Sequence, residues 1–194
     1  MQLIFASSNQ HKLQEIRSQA PAGIEIISMK EMGYEEELPE TQNTIEGNSL
    51  QKAEFLARKF SIACFAEDTG LEIEALHGEP GVYSARYAGP GTSFTNNVNK
   101  VLQNMQHVAN RKARFKTVIT YYHNATYVQF EGITEGTITE ERRGNAGFGY
   151  DPIFIPLGSD KTYAEMTMQE KNGFSHRQKS FEKFANHLQQ ITVY

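Results

Sequence analysis

A short apolar run, QLIFA (Gln2 to Ala6), is followed almost at once by a helix-forming stretch, His11 to Ser18, and then by a second short apolar run, Ile24 to Ser28. This early alternation constrains the fold most. Strands that alternate with helices pack as a sheet with helical layers. Asn43-Thr44-Ile45-Glu46 has the form of a capping box, and beyond it Leu50, Ala53, Ala57 and Phe60 share one helical face. Ile62–Ala66 reads as a buried strand, and Leu71–Ala75 shows strand-like alternation. Val98, Val101, Leu102 and Met105 fall at helical spacing, which predicts a helix from about Phe94 to His107. Arg114–Tyr122 and Tyr127–Glu131 read as strands across the turn His123-Asn124-Ala125, with Glu135–Thr139 a further strand. Asp151–Ile155 reads as a strand opening on Asp-Pro, and Phe181, Phe184, Ala185 and Leu188 mark a C-terminal helix. With antiparallel pairs in the middle, the pattern predicts a mixed α/β sheet covered by helices.

A chain of 194 residues makes one domain, or one domain with a lobe, and buries about 70% of its unfolded surface. Hydrophobic content of 39% and charged content of 22% describe an ordinary globular protein. Nineteen basic residues against 23 acidic ones give a formal charge of −4, which argues against a partner such as DNA or RNA. A local basic cluster can still hold a small polyanion. Cys64 is the only cysteine, so an intrachain disulfide and a cysteine-rich zinc site are excluded. Its apolar setting, IACFA, reads as a core thiol. No apolar run reaches the roughly 20 residues that span a bilayer. The opening MQLIFASSNQ has no basic leader, so a cytoplasmic location is expected.

Three loop-like stretches look chemical. Ser7, Ser8, Asn9, Gln10, His11 and Lys12 lie between a strand and a helix start, where backbone N–H groups and side-chain donors attract anions. Capping by Ser8 or Asn9 is the plainer account of the same residues. Glu67-Asp68-Thr69-Gly70 follows a buried run, and ligands of α/β sheets collect beyond the carboxyl ends of strands. Carboxylates there suit a hard cation such as Mg²⁺, or simply a polar turn. Gly144 to Pro152 (GNAGFGYDP) allows close approach of a ligand. Phe148 and Tyr150 offer flat surfaces to a base and Asp151 an acceptor, although a glycine-rich turn is equally natural. A fourth segment, Glu170 to Arg177, sets Lys171, His176 and Arg177 ahead of an amphipathic helix. Arg86 and Tyr87 form a further polar-aromatic loop. Phosphate, metal and base groups together describe a nucleoside triphosphate.

Five ordered motifs carry a resemblance over nearly the whole chain: SSNQHKLQEI, ETQNTIEGNSLQKA, FAEDTGLEIEALHGEPGVYSARYAG, GNAGFGYDPIF and EKNGFSHR. The chain resembles the inosine triphosphate pyrophosphatase family, the XTP/dITP diphosphatases. The resemblance implies an elongated two-lobed α/β homodimer with a substrate cleft, acting on ITP, dITP and XTP and leaving monophosphate and pyrophosphate. It implies Mg²⁺ as cofactor and a small nucleotide as partner, with no membrane. By motif, Ser7 to Lys12 look like the triphosphate loop, Asp68 the catalytic acid and metal ligand, and Glu40 the second metal acid. Thr69, Phe148, Gly149, Tyr150, Asp151, Lys171, His176 and Arg177 look like substrate-binding positions. Glu67 stands where an aspartate is common, and ETQNT where ETG is usual. An Arg177 donor aimed at the 6-position would favour a purine oxygen over the adenine amine. A sensor that binds without turnover is the rival reading, and Asp68 beside Glu67 argues against it.

Overall fold

In a computed structural model describing residues 2–192, six strands form one sheet in the order β2-β1-β3-β4-β5-β6. They are β1 (Gln2–Ala6), β2 (Glu25–Ser28), β3 (Cys64–Ile73), β4 (Lys112–His123), β5 (Thr126–Ile138) and β6 (Phe154–Pro156). The helices are α1 (Gln10–Gln19), α2 (Ile45–Phe60), α3 (Phe94–Asn104), α4 (Met168–Phe174) and α5 (His176–Thr192). β1 pairs in parallel with both β2 and β3, while β5 and β6 pair antiparallel, so the sheet is mixed as expected. β4 and β5 join through Asn124-Ala125, both at positive φ (51° and 59°), the backbone that suits a tight hairpin. No helix among the described residues is long and apolar enough to cross a membrane.

The chain divides into two compact units. One takes the chain up to Asp68, Thr117–Gly132 and the chain from Lys179; the other takes Thr69–Lys116 and Ile133–Gln178. In the first unit the pleat sends alternate residues to two cores. Leu3, Phe5 and Phe65 meet Leu13 and Ile16 of α1 and Phe181, Phe184 and Leu188 of α5. Ile4, Ala6, Cys64 and Ala66 meet Ala53, Leu56 and Ala57 of α2. Each buried Leu, Ile or Phe stabilises by about 1.5–3 kcal/mol, which fixes the β3 register. Cys64 is fully buried, and burial pushes its thiol up to about 12. In the second unit Leu71, Ile73, Val98, Val101, Met105, Phe115, Tyr150, Phe154 and Tyr163 make the core.

Several boundaries differ from the sequence reading. Glu67 to Gly70 is no loop: β3 runs unbroken through it to Ile73, and Glu74–Leu76 then forms a 3-10 turn. Thr44, not Asn43, caps α2; its hydroxyl accepts from the Gly47 N–H, so Glu46 closes no reciprocal box. Tyr127–Glu131 and Glu135–Thr139 belong to one strand. Asp151–Ile153 is a 3-10 turn, with Pro152 at its start supplying no N–H to a ladder, and only Phe154–Pro156 extends.

Candidate active site

In the first unit the β1–β3 register ends with Ala6 opposite Ala66. The chain therefore leaves β1 through Ser7 to Asn9 beside the next β3 residues, Glu67 and Asp68. Asn9 is the α1 cap: its side chain accepts from the Lys12 N–H at 3.2 Å, and the Ser7 hydroxyl accepts from the Asn9 N–H at 3.2 Å. Capping is thus real at Asn9. Ser8, Gln10 and His11 are exposed around the same helix start.

The adjacent acids tolerate one another because successive strand residues point to opposite faces. Each has its own lysine. Lys12 of α1 reaches Glu67 at 3.3 Å, and Lys52 of α2 reaches Asp68 at 3.1 Å. Lys52 also holds Glu40 at 2.6 Å, so one buried ammonium joins the two acids. Burial pushes Asp68 above the usual carboxylate range; Lys52 and Lys12 pull it back, while the Glu40 charge adds to the rise. Burial works against the charge on Lys52, but Asp68 and Glu40 together more than reverse that effect. Thr69, half-buried, is the next residue of β3.

Lys52 was missing from the sequence reading. Its signal lay in the helix stripe, since Asn48, Ser49 and Lys52 share the buried face of α2 with Ala53, Leu56 and Ala57. A polar triplet on an otherwise apolar stripe points to buried partners. Ser49 bonds the Ala66 carbonyl at 3.2 Å and accepts from Thr120 at 2.8 Å, which ties α2 to β3 just ahead of the acids.

In the second unit Phe148, Asp151, Lys171 and Arg177 come together. Asp151 accepts from Lys171 Nζ at 2.7 Å and from the Phe148 N–H at 2.9 Å. It is 4% exposed, and these two bonds make it an internal anchor for Phe148 and Lys171. Burial pushes its carboxyl up, against the pull of Lys171, the Phe148 N–H and Arg177. The close approach that the glycines permit is also internal. Gly147 has φ +74°, and a Cβ there would lie 2.0 Å from Asp151 Oδ2. Gly149, half-buried, shares the segment.

Phe148 is half-buried, with Lys171 Nζ at 5.2 Å and Arg177 Cζ at 5.6 Å from its ring centroid. Tyr150 offers no stacking face. It is 4% exposed, and its hydroxyl donates to the Ser84 carbonyl at 2.8 Å. Lys171, His176 and Arg177 are all buried, unlike an ordinary solvated helix start. His176 lies flat on Phe115, centroids 4.6 Å apart and planes 13° apart. The Phe174 carbonyl between α4 and α5 accepts from Thr134 and Tyr163, which fixes the turn leading to Arg177. In the Arg86 loop, the guanidinium lies 5.4 Å from the Tyr83 ring, and the buried Tyr87 hydroxyl donates to Glu79.

Comparison with known proteins agrees with this chemistry. The family model described as the Ham1 family matches residues 3–187. A dITP/XTP pyrophosphatase of Flavobacterium johnsoniae is 47% identical, covering 97% of this chain and 98% of that protein. One from Bacillus subtilis is 41% identical over 96% of both. The structure of a HAM1 protein from Coxiella burnetii matches with a TM-score of 0.92 at 34% identity, covering 98% of this chain and 99% of that one. Fold, motifs and relatives agree: the chain belongs to the Ham1 family.

Proposed function

We propose that this chain hydrolyses non-standard purine nucleoside triphosphates, ITP, dITP and XTP, to the monophosphate and pyrophosphate. The observation that carries the reading is the half-buried Glu40 and the buried Asp68 sharing Lys52, at the carboxyl ends of β1 and its neighbour β3 where Ser7 to Lys12 present a helix start and an ammonium. Lys12 and the α1 N–H groups bind phosphate oxygens through charge-assisted hydrogen bonds. Asp68, held above its ordinary pKa by burial, is suited to orient water and take its proton.

The donor set fits Mg²⁺. Two carboxylates already share a cation there, and Mg²⁺ commonly takes one or two carboxylates and fills its remaining positions with water and phosphate. Glu40 and Asp68 would hold it. When bound, it supplies charge to the phosphoryl oxygens and lowers the pKa of water.

Recognition of the base is supported by the second unit. Phe148 gives a ring face, and the side chains of Lys171 and Arg177 beside it carry donor groups and no acceptor atoms. Oxygens at the purine 2- and 6-positions suit them; the 6-amine of adenine and the 2-amine of guanine do not. The family resemblance also supports a homodimer acting in the cytoplasm, which sedimentation and cell fractionation test. The function itself is tested by a panel of nucleoside triphosphates assayed for pyrophosphate with Mg²⁺ and with EDTA. Release from ITP and XTP far above ATP and GTP, abolished by EDTA, is expected. Equal rates on all four would contradict the reading.

A further inference from the structure

We propose that Phe94 is a further substrate-contacting residue, forming with Phe148 a two-ring clip for the purine. The inference rests on the reading that Phe148 carries the base. Phe94 opens α3 directly after the cap Ser93, and is 46% exposed, outside the buried face formed by Asn97, Val98 and Val101. An isolated exposed phenylalanine is unremarkable. This one has its ring centroid 6.1 Å from that of Phe148, with the planes 49° apart.

Both rings stand on fixed supports. Asn97, one turn after Phe94, is buried and bonds the Ala85 carbonyl at 3.0 Å and the Ala88 N–H at 2.7 Å. Lys100 adds a bond to the Tyr87 carbonyl at 2.6 Å. Asp151 fixes the Phe148 backbone from the other side of the clip's sequence. Main-chain movement is therefore restrained, and the exposed Phe94 side chain is the part that turns. A purine lying flat between two rings needs two contact layers of about 3.5 Å each. The observed spacing is slightly less and the rings are tilted, so the clip rests on itself and opens by rotation of Phe94. Every purine has a face to stack, so the clip adds affinity without choosing the base. Choice stays with Lys171 and Arg177.

The test is steady-state kinetics of Phe94→Ala, Phe94→Leu and Phe94→Tyr on ITP and XTP, with thermal melts of each. Loss of a base–aromatic stack should raise KM about fivefold or more for both substrates, with kcat nearly unchanged. Phe94→Tyr should restore KM, Phe94→Leu should remain impaired, and all three should melt like the parent. Unchanged KM in Phe94→Ala, or equal loss in the Leu and Tyr variants, overturns the clip. If the parent protein itself releases no pyrophosphate from ITP, the proposed function fails instead, a separate result.

Discussion

Asp68 and Asp151 are both buried aspartates with a lysine at hydrogen-bonding distance, and burial raises both. Their surroundings are opposite. Beside Asp68 stands a second acid, Glu40, and the two carboxylates share one ammonium, that of Lys52, while Glu67 pairs with Lys12 on the other face of the strand. That excess of negative charge favours a further cation. Around Asp151 stand one acid and two cations, Lys171 and Arg177, and its carboxylate is occupied by Lys171 and a backbone N–H. That excess of donors favours carbonyl oxygens. An aspartate in a motif therefore has no fixed meaning. Its role follows from which side of the charge balance it sits on.

The sharpest way to break this contrast is to remove the cation from Asp151. Lys171→Met strands Asp151, and loss of one partner from a buried pair costs about 3–5 kcal/mol. At about 2–4 °C per kcal/mol for a chain of this size, calorimetry should show a large fall in Tm. The double variant Asp151→Asn, Lys171→Met should recover much of it. A parent-like Tm for Lys171→Met would show that Asp151 is no structural anchor.

Smaller effects sharpen the division of labour. Arg177→Leu removes a buried donor worth about 1.5–3 kcal/mol, so the preference for ITP over ATP in kcat/KM should fall about tenfold. Lys12→Ala should weaken ITP, XTP and ATP alike, because its charge meets phosphate. A loss from Lys12→Ala that differed by base would put Lys12 on the wrong side of the comparison. Smallest is Thr44→Ala, which removes the α2 cap at a cost of about 1 kcal/mol. A melt lowered by about 2–4 °C, with base preference intact, is the expected result.

Much of this was legible in the sequence, and the failures have physical causes. The strands and helices of a mixed sheet were read from apolar runs and from what links them, because apolar periodicity reports burial directly. Thr69-Gly70 and the gap between Glu131 and Glu135 look like punctuation, yet both lie inside strands. At Gly136 a side chain would meet the Ile155 carbonyl at 2.2 Å, so the glycine serves the packing of β6 and marks no strand end. The motifs located Phe148 to Asp151 but not the direction each side chain takes. Tyr150 turned into the core and Asp151 toward Lys171. Lys52 was hidden because a helix stripe is read for its apolar members, and its partners lie 12 and 16 residues away.

The most direct test is Asp68→Asn, assayed for turnover, melting temperature and products together. The change keeps size and removes the charge that would hold metal and activate water. Turnover of ITP should fall at least about a hundredfold, near 2.7 kcal/mol of barrier. Tm should not fall, since Lys52 keeps Glu40 at 2.6 Å. The parent should convert ITP to IMP and pyrophosphate in equal amounts. Normal turnover by the variant would contradict the role of Asp68, and IDP with orthophosphate from the parent would contradict the bond assignment.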